Sequence, residues 1–261
     1  MDVMKDANER EAKGENILHL EVGQPGTSAP QKVIEAAKAA LSLDKLGYTD
    51  ALGLPQLRER ISGHYRDYYG VDVDPGRVIV TAGSSAGFVM SFLAAFDPGD
   101  YVAIAEPGYP AYRNILKALD LVPVSLAVGE GTRYQPDRSL LNDVAGNLAG
   151  LLVASPANPT GTMLPTATFR DLIEWCREQS VWFISDEIYH GITYELRADT
   201  ALAFSDDAIV INSFSKYYSM TGWRLGWMIV PEVLVRPVER LAQNLFISPP
   251  TLSQHAAIAA L

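Results

Sequence analysis

Seven short apolar runs punctuate this chain: Val78–Thr81, Tyr101–Ala105, Val122–Leu126, Leu151–Ala154, Trp182–Ser185, Ile209–Ser213 and Trp227–Val230. Most are near-continuous stretches of β-branched and aliphatic residues, the pattern of strands covered on both faces. Helix-length segments separate most of them, and a strand followed by a crossover helix returns parallel to its neighbour. The expected fold is therefore α/β: a mostly parallel seven-stranded sheet with helices on both faces. Ahead of the sheet, Val33, Ile34, Ala37 and Leu41 fall at helical spacing and predict a helix over Gln31–Ser42, with a second over Leu54–Tyr69. Asp74-Pro75-Gly76 and Asp97-Pro98-Gly99-Asp100 are turn sequences.

Polar motifs follow four of these runs, and in an open parallel sheet the carboxyl ends of the strands are where ligands bind. After Ile209–Ser213 comes Ser213-Phe214-Ser215-Lys216, with Arg224 eight residues beyond the lysine. A lysine at a strand end can form a Schiff base with an aldehyde cofactor, while serine hydroxyls and an arginine fork suit a phosphate dianion. Together they describe a pocket for pyridoxal phosphate. Asp186, in Ser185-Asp186-Glu187-Ile188-Tyr189, is placed to pair with a pyridinium nitrogen and keep it protonated. Asn158, in Asn158-Pro159-Thr160-Gly161, carries an amide able to donate to a phenolate oxygen. Gly83-Ser84-Ser85-Ala86-Gly87 opens a helix after Val78–Thr81 and aims backbone N–H groups at an anion.

In their types and their order these motifs resemble the class I/II aminotransferases, the fold-type I pyridoxal-phosphate enzymes, along the whole chain. The resemblance implies that Lys216 is the Schiff-base lysine and moves the proton between substrate and cofactor. Asp186 then pairs with the ring nitrogen, and Tyr189 and Asn158 with the phenolate oxygen. Ser213, Arg224 and the backbone around Ser84 and Ser85 hold the phosphate. Tyr109, in Glu106-Pro107-Gly108-Tyr109, matches the aromatic stacked on the ring; Gly23, in Val22-Gly23-Gln24-Pro25, matches the glycine near the substrate carboxylate, to which Asn158 is also assigned. Tyr48, in Gly47-Tyr48-Thr49, matches a tyrosine that reaches a neighbouring subunit's phosphate, which implies a homodimer. On this basis residues 1–50 are an amino-terminal arm with part of a small domain, and residues 51–261 the cofactor-binding large domain. Family chains run past the equivalent of Leu261, where their carboxylate-binding arginine lies. The apolar helical run Ser253–Leu261 carries no stop signal and Met1–Met4 reads as mid-helix, so the expectation is a fragment. The implied activity transfers an amino group between an amino acid and a 2-keto acid; β-eliminating lyases share the same motifs.

Composition excludes other classes. With Asp and Glu at 31 against Lys and Arg at 21, the net charge is −10, and no basic run offers a surface to nucleic acid. Cys176 is the only cysteine, so neither an internal disulfide nor a thiol-built metal cluster is available, and no metal is expected. No apolar run approaches the ~20 residues that span a bilayer, and the polar start is unlike a secretory signal, so the cytoplasm is the expected location. Two rivals differ in class. Gly83–Gly87 also satisfies the nucleophile-elbow pattern of a serine hydrolase, with Ser85, Asp186 and His255 in the right chain order, although that reading gives Lys216 and Arg224 no reason for their spacing. A cofactor-sensing transcription regulator shares the implied fold, but a basic winged-helix segment ahead of the arm is not part of this sequence. His190 reads as a hydrogen-bonded structural residue, with proton relay as the less favoured role, and Tyr68, Tyr69, His64 and Cys176 read as packing.

Overall fold

The structure, a computed structural model, describes residues 2–43, 46–144, 146 and 148–261. Its centre is a seven-stranded sheet built from β1 (Val78–Thr81), β2 (Tyr101–Glu106), β3 (Val122–Ala127), β4 (Leu148–Ala154), β5 (Trp182–Asp186), β6 (Ile209–Ser213) and β7 (Gly226–Ile229), in the spatial order β1-β7-β6-β5-β4-β2-β3. Pairings among β2 to β6 are parallel, whereas β7 runs antiparallel to both β6 and β1. The expected mostly parallel α/β fold is what forms, and the strand limits differ from expectation by a few residues at most. The largest difference is at β4, which begins at Leu148.

Period-two alternation explains why the sheet needs cover on both sides. Val78, Val80, Leu151, Val153, Phe183 and Val210 face one core, and Ile79, Leu152, Ile184, Ile209 and Ile211 face the other. The first core is closed by α2 (Gln31–Leu43), α3 (Pro55–Tyr69), α7 (Thr166–Gln179) and α9 (Thr251–Ile258), the second by α4 (Ser84–Ala95), α5 (Pro110–Ala118) and α8 (Glu232–Leu245). A short α6 (Arg138–Asn142) lies between β3 and β4. Fully burying one Leu, Ile or Phe side chain is worth about 1.5–3 kcal/mol, so these two layers dominate the stability. In contrast α1 (Asp2–Glu11) buries no residue, and a 10-residue helix gains little by itself.

Two local expectations are corrected. Leu41 was expected on the apolar face of the helix over 31–42, yet it is 59% exposed; the buried positions are Val33, Ala37 and Ala40, because the stripe that meets α9 is narrow and Leu41 lies beyond its edge. The helix expected to run through Leu261 ends at Ile258, where the bonds from Ala259 and Ala260 N–H tighten to the i→i−3 pattern of a last turn. Met1 lies outside the described residues. Helix α9 also ties the arm to the sheet: Gln254 accepts from Leu54 N–H at 2.8 Å and donates to Thr49 Oγ1 at 3.0 Å, and Thr251 donates to the Gly47 carbonyl at 2.7 Å.

Candidate active site

The sheet's carboxyl edge collects the polar motifs because each leaves a strand there. Register aligns Ala154 with Asp186 and Asp186 with Ile211, while Ser213 and Thr81 both pair with Gly226. The direction of β7 matters here: as an antiparallel strand it starts at that edge, so Arg224, just ahead of it, arrives beside the loop that follows β1.

Arg224 sits in the left-handed region at φ 52°, ψ 53° and donates through Nη1 to the Thr221 carbonyl at 3.1 Å. Its guanidinium packs over Gly83, the N-cap of α4, which has φ +80° and offers no side-chain cap to the first-turn N–H groups. Any β-carbon on Gly83 would run into that guanidinium. Gly226 is equally confined, since a β-carbon there would lie 2.7 Å from the Asn212 carbonyl and 3.0 Å from Ser84 N. A cationic fork and an uncapped helix start therefore meet with no side chain between them, an arrangement suited to an anion. Ser85 is exposed in this first turn, and Ser84 half-buried. Ser213 is turned inward: its Oγ donates to the Leu225 carbonyl at 3.1 Å, pairs with Ser215 Oγ at 2.9 Å and accepts from Ser215 N–H at 3.0 Å.

Asp186 ends β5 almost fully buried. Its Oδ1 accepts from Ile188 N–H at 3.0 Å and its Oδ2 from the Tyr112 hydroxyl. Burial pushes its pKa up to about 6, against the two hydrogen bonds, which pull it down. Tyr189 is raised by its own burial and then by the charge of Asp186, and Asn158 Nδ2 donates to its hydroxyl across 3.4 Å. Tyr109, the residue before α5, sets its ring edge-on to Tyr112 at 5.3 Å and also acts on the ionisation of Tyr189. Lys216 Nζ lies 6.0 Å from the centre of the Tyr189 ring and donates to the Gly23 carbonyl at 2.5 Å; partial burial lowers its pKa. The arm thus crosses the lysine, with Thr27 bonded to Ser219 at 2.9 Å just beyond.

Asp186, Tyr189, Asn158, Tyr109, Lys216 and Gly23 are linked by these contacts, and Arg224 joins Gly83 at the head of α4. Tyr48 stands apart, 82% exposed. One contact is not foreshadowed in the sequence: the Tyr112 hydroxyl reaches Asp186, and nothing in the Tyr109-Pro110-Ala111-Tyr112 spacing marks that partner. His190 is buried, its Nε2 donating to the Ser155 carbonyl at 2.9 Å and its Nδ1 accepting from Tyr69 at 2.7 Å, and burial lowers its pKa to about 4. Tyr69 is thus more than packing. No group of three or more His, Cys, Asp or Glu able to hold a metal occurs among the described residues, and no helix among them is long and apolar enough to cross a membrane.

The fold is an α/β sheet with an anion-suited cradle at its carboxyl edge, and comparison with known proteins shows the family. The profile of the family described as aminotransferase class I and II matches residues 15–261. All of the chain aligns at 49% identity with 68% of the valine–pyruvate aminotransferase of Mycobacterium tuberculosis (strain ATCC 25618 / H37Rv). Among solved structures, an aminotransferase from Mycobacterium tuberculosis matches with TM-score 0.96 at 49% identity over 100% of this chain and 68% of that one. Aspartate aminotransferase from Thermus thermophilus with maleate matches with TM-score 0.96 at 29% identity, covering 99% and 68%. The chain belongs to the class I and II aminotransferases, a family of pyridoxal-phosphate-dependent transferases, and its function is that of an aminotransferase. Nothing in these relatives favours a lyase or a serine hydrolase, and the hydrogen bonds of Asp186 come from Tyr112 and Ile188.

The donor set fits pyridoxal phosphate. A phosphate needs the Gly83–Arg224 cradle, a pyridinium nitrogen needs a buried carboxylate, a phenolate oxygen needs donors such as Asn158 and Tyr189, and an aldehyde needs an amine of lowered basicity.

Proposed function

We propose that this chain binds pyridoxal phosphate through Lys216 and moves an amino group between an amino acid and a 2-keto acid. The observation that carries the reading is the meeting of Arg224 with the open head of α4 on the same sheet edge as the buried Asp186 carboxylate. When bound, the cofactor supplies an aldehyde that condenses with amines and a protonated ring that accepts electrons from the substrate α-carbon. Asp186 holds the proton on the ring nitrogen by charge, and its burial strengthens that pairing. Asn158 Nδ2 and the Tyr189 hydroxyl would donate to the phenolate oxygen, and Tyr109 would pack against the cofactor ring. Arg224 and the N–H groups at Ser84 and Ser85 hold the phosphate. Ser213 joins them by rotating its single hydroxyl proton away from the Leu225 carbonyl. Lys216 Nζ would be the group that holds the aldehyde and the general base for the substrate α-proton, and its lowered pKa favours the neutral amine that both roles need. Gly23 lines the approach of the substrate carboxylate, with Asn158 nearby.

The arm over residues 1–50, the large domain over 51–261, a cytoplasmic location and a homodimer with Tyr48 reaching the partner's phosphate belong to the same proposal; the exposure of Tyr48 supports the last. Because the relative at 49% identity is a valine–pyruvate aminotransferase, valine and pyruvate are the substrates to assay first. With cofactor present, valine is expected to yield its keto acid in an amount matching the protein, and added pyruvate to yield alanine. Release of neither product from valine or from a panel of other amino acids would contradict the proposal.

A further inference from the structure

Tyr112 has no part in the assignments above. It lies buried in the first turn of α5, its ring held edge-on by Phe88 at 5.2 Å and by Tyr109 at 5.3 Å. Two such contacts fix the ring plane and direct the hydroxyl at Asp186 Oδ2, to which it donates. The other oxygen of the carboxylate accepts from the Ile188 N–H. The donors come from different elements, α5 and the chain after β5, so together they fix both side-chain torsions of Asp186. Each carboxylate oxygen can accept more than one bond, which leaves capacity on Oδ2 for a further donor. Burial, the charge of Asp186 and the hydrogen bond itself all raise the Tyr112 pKa, so the shared proton stays on the phenol.

We propose that Tyr112 is a positioning residue for transamination, its hydroxyl holding the Asp186 carboxylate ionised and aimed at the ring nitrogen of the bound cofactor. The inference rests on the cofactor reading given above. A hydroxyl donating to a carboxylate is among the stronger hydrogen bonds, and inside the protein it offsets part of the burial cost of the charge. If Tyr112 served only as packing, phenylalanine would do as well.

Tyr112→Phe keeps the ring and removes the donor, whereas Phe88→Leu disturbs the same packing and keeps the donor. The protein, free of cofactor and labelled with 13C at its aspartate carboxyl carbons, is titrated by NMR, and the Asp186 resonance is identified by its loss in Asp186→Asn. The titratable groups acting on this carboxylate are Tyr112 from α5 and Glu187 and Tyr189 from its own segment, and the last two are common to every variant. The Asp186 midpoint is expected to rise by about one pH unit in Tyr112→Phe, a tenfold smaller acid dissociation constant, and to stay at about 6 in Phe88→Leu. Measured at pH 5, below both midpoints, the dissociation constant for pyridoxal phosphate should rise up to about tenfold in Tyr112→Phe alone. An unmoved midpoint in Tyr112→Phe, or an equal shift in Phe88→Leu, overturns the proposal. If the wild-type protein fails to bind pyridoxal phosphate, the cofactor reading falls, and the cofactor-free titration still decides whether Tyr112 holds Asp186 ionised.

Discussion

Glu187 shows how much one buried carboxyl can hold. Its Oε1 accepts from Thr200 Oγ1 at 3.0 Å, Ala201 N–H at 2.9 Å and Ser185 Oγ at 3.2 Å, whereas Oε2 has no hydrogen-bond partner among the described residues and faces His190 Nδ1 at 3.6 Å. Burial pushes its pKa up to about 8 from an ordinary 4.5. The folded chain therefore prefers the neutral acid, which adds to stability below about 4.5; that contribution is lost as pH rises through about 8, at up to about 1.4 kcal/mol per pH unit. Asp186, raised to about 6, acts in the same direction at lower pH. Glu187→Gln keeps an uncharged side chain of similar shape, so denaturant unfolding at pH 5 and pH 8 should show the wild type losing clearly more stability between them than the variant. Equal losses would mean that Glu187 is charged in the folded chain throughout. At this scale the sequence made Lys216, Asp186 and Arg224 legible because each is a reactive or charged group at a strand end. It left Tyr112 illegible, because a tyrosine on a helix looks like core until its hydroxyl partner is known.

At the scale of elements, the head of α4 and the entry to β7 act as one unit. Gly83→Ala places a β-carbon against the Arg224 guanidinium and forces alanine to φ +80°, so the cradle must open. The dissociation constant for pyridoxal phosphate is expected to rise at least tenfold, about 1.4 kcal/mol, while far-UV circular dichroism stays unchanged. Unchanged affinity would show that the cradle does not hold the phosphate. The strands were legible because β-branched runs such as Val78–Thr81 and Ile209–Ser213 have no other way to bury both faces. The direction of β7 was not, because alternating strands and helices say nothing of polarity for a strand reached through the Arg224 loop without a crossover helix. Yet that direction brings Arg224 to the right edge. Leu41 failed for a related reason: spacing marks an apolar stripe, and only the partner helix decides how wide a stripe is covered.

Over the whole molecule, the arm is the part least explained by the chain's own core. Leu18 and Leu20 are more than four-fifths exposed, as is Tyr48. If Tyr48 completes a neighbour's phosphate site, mixing a Tyr48→Ala chain with a Lys216→Ala chain should restore activity that neither has alone, because one site of the mixed dimer then takes an intact Lys216 from one chain and an intact Tyr48 from the other. No recovery, or a monomer by light scattering, would remove the shared site and leave the cofactor assignment standing. That assignment is the centre of the account, and borohydride reduction of the protein with pyridoxal phosphate, followed by peptide mapping, tests it most directly. A single pyridoxyl-bearing peptide labelled at Lys216 is expected, with no label in Lys216→Ala; label on another lysine, or label that survives the substitution, would contradict the assignment.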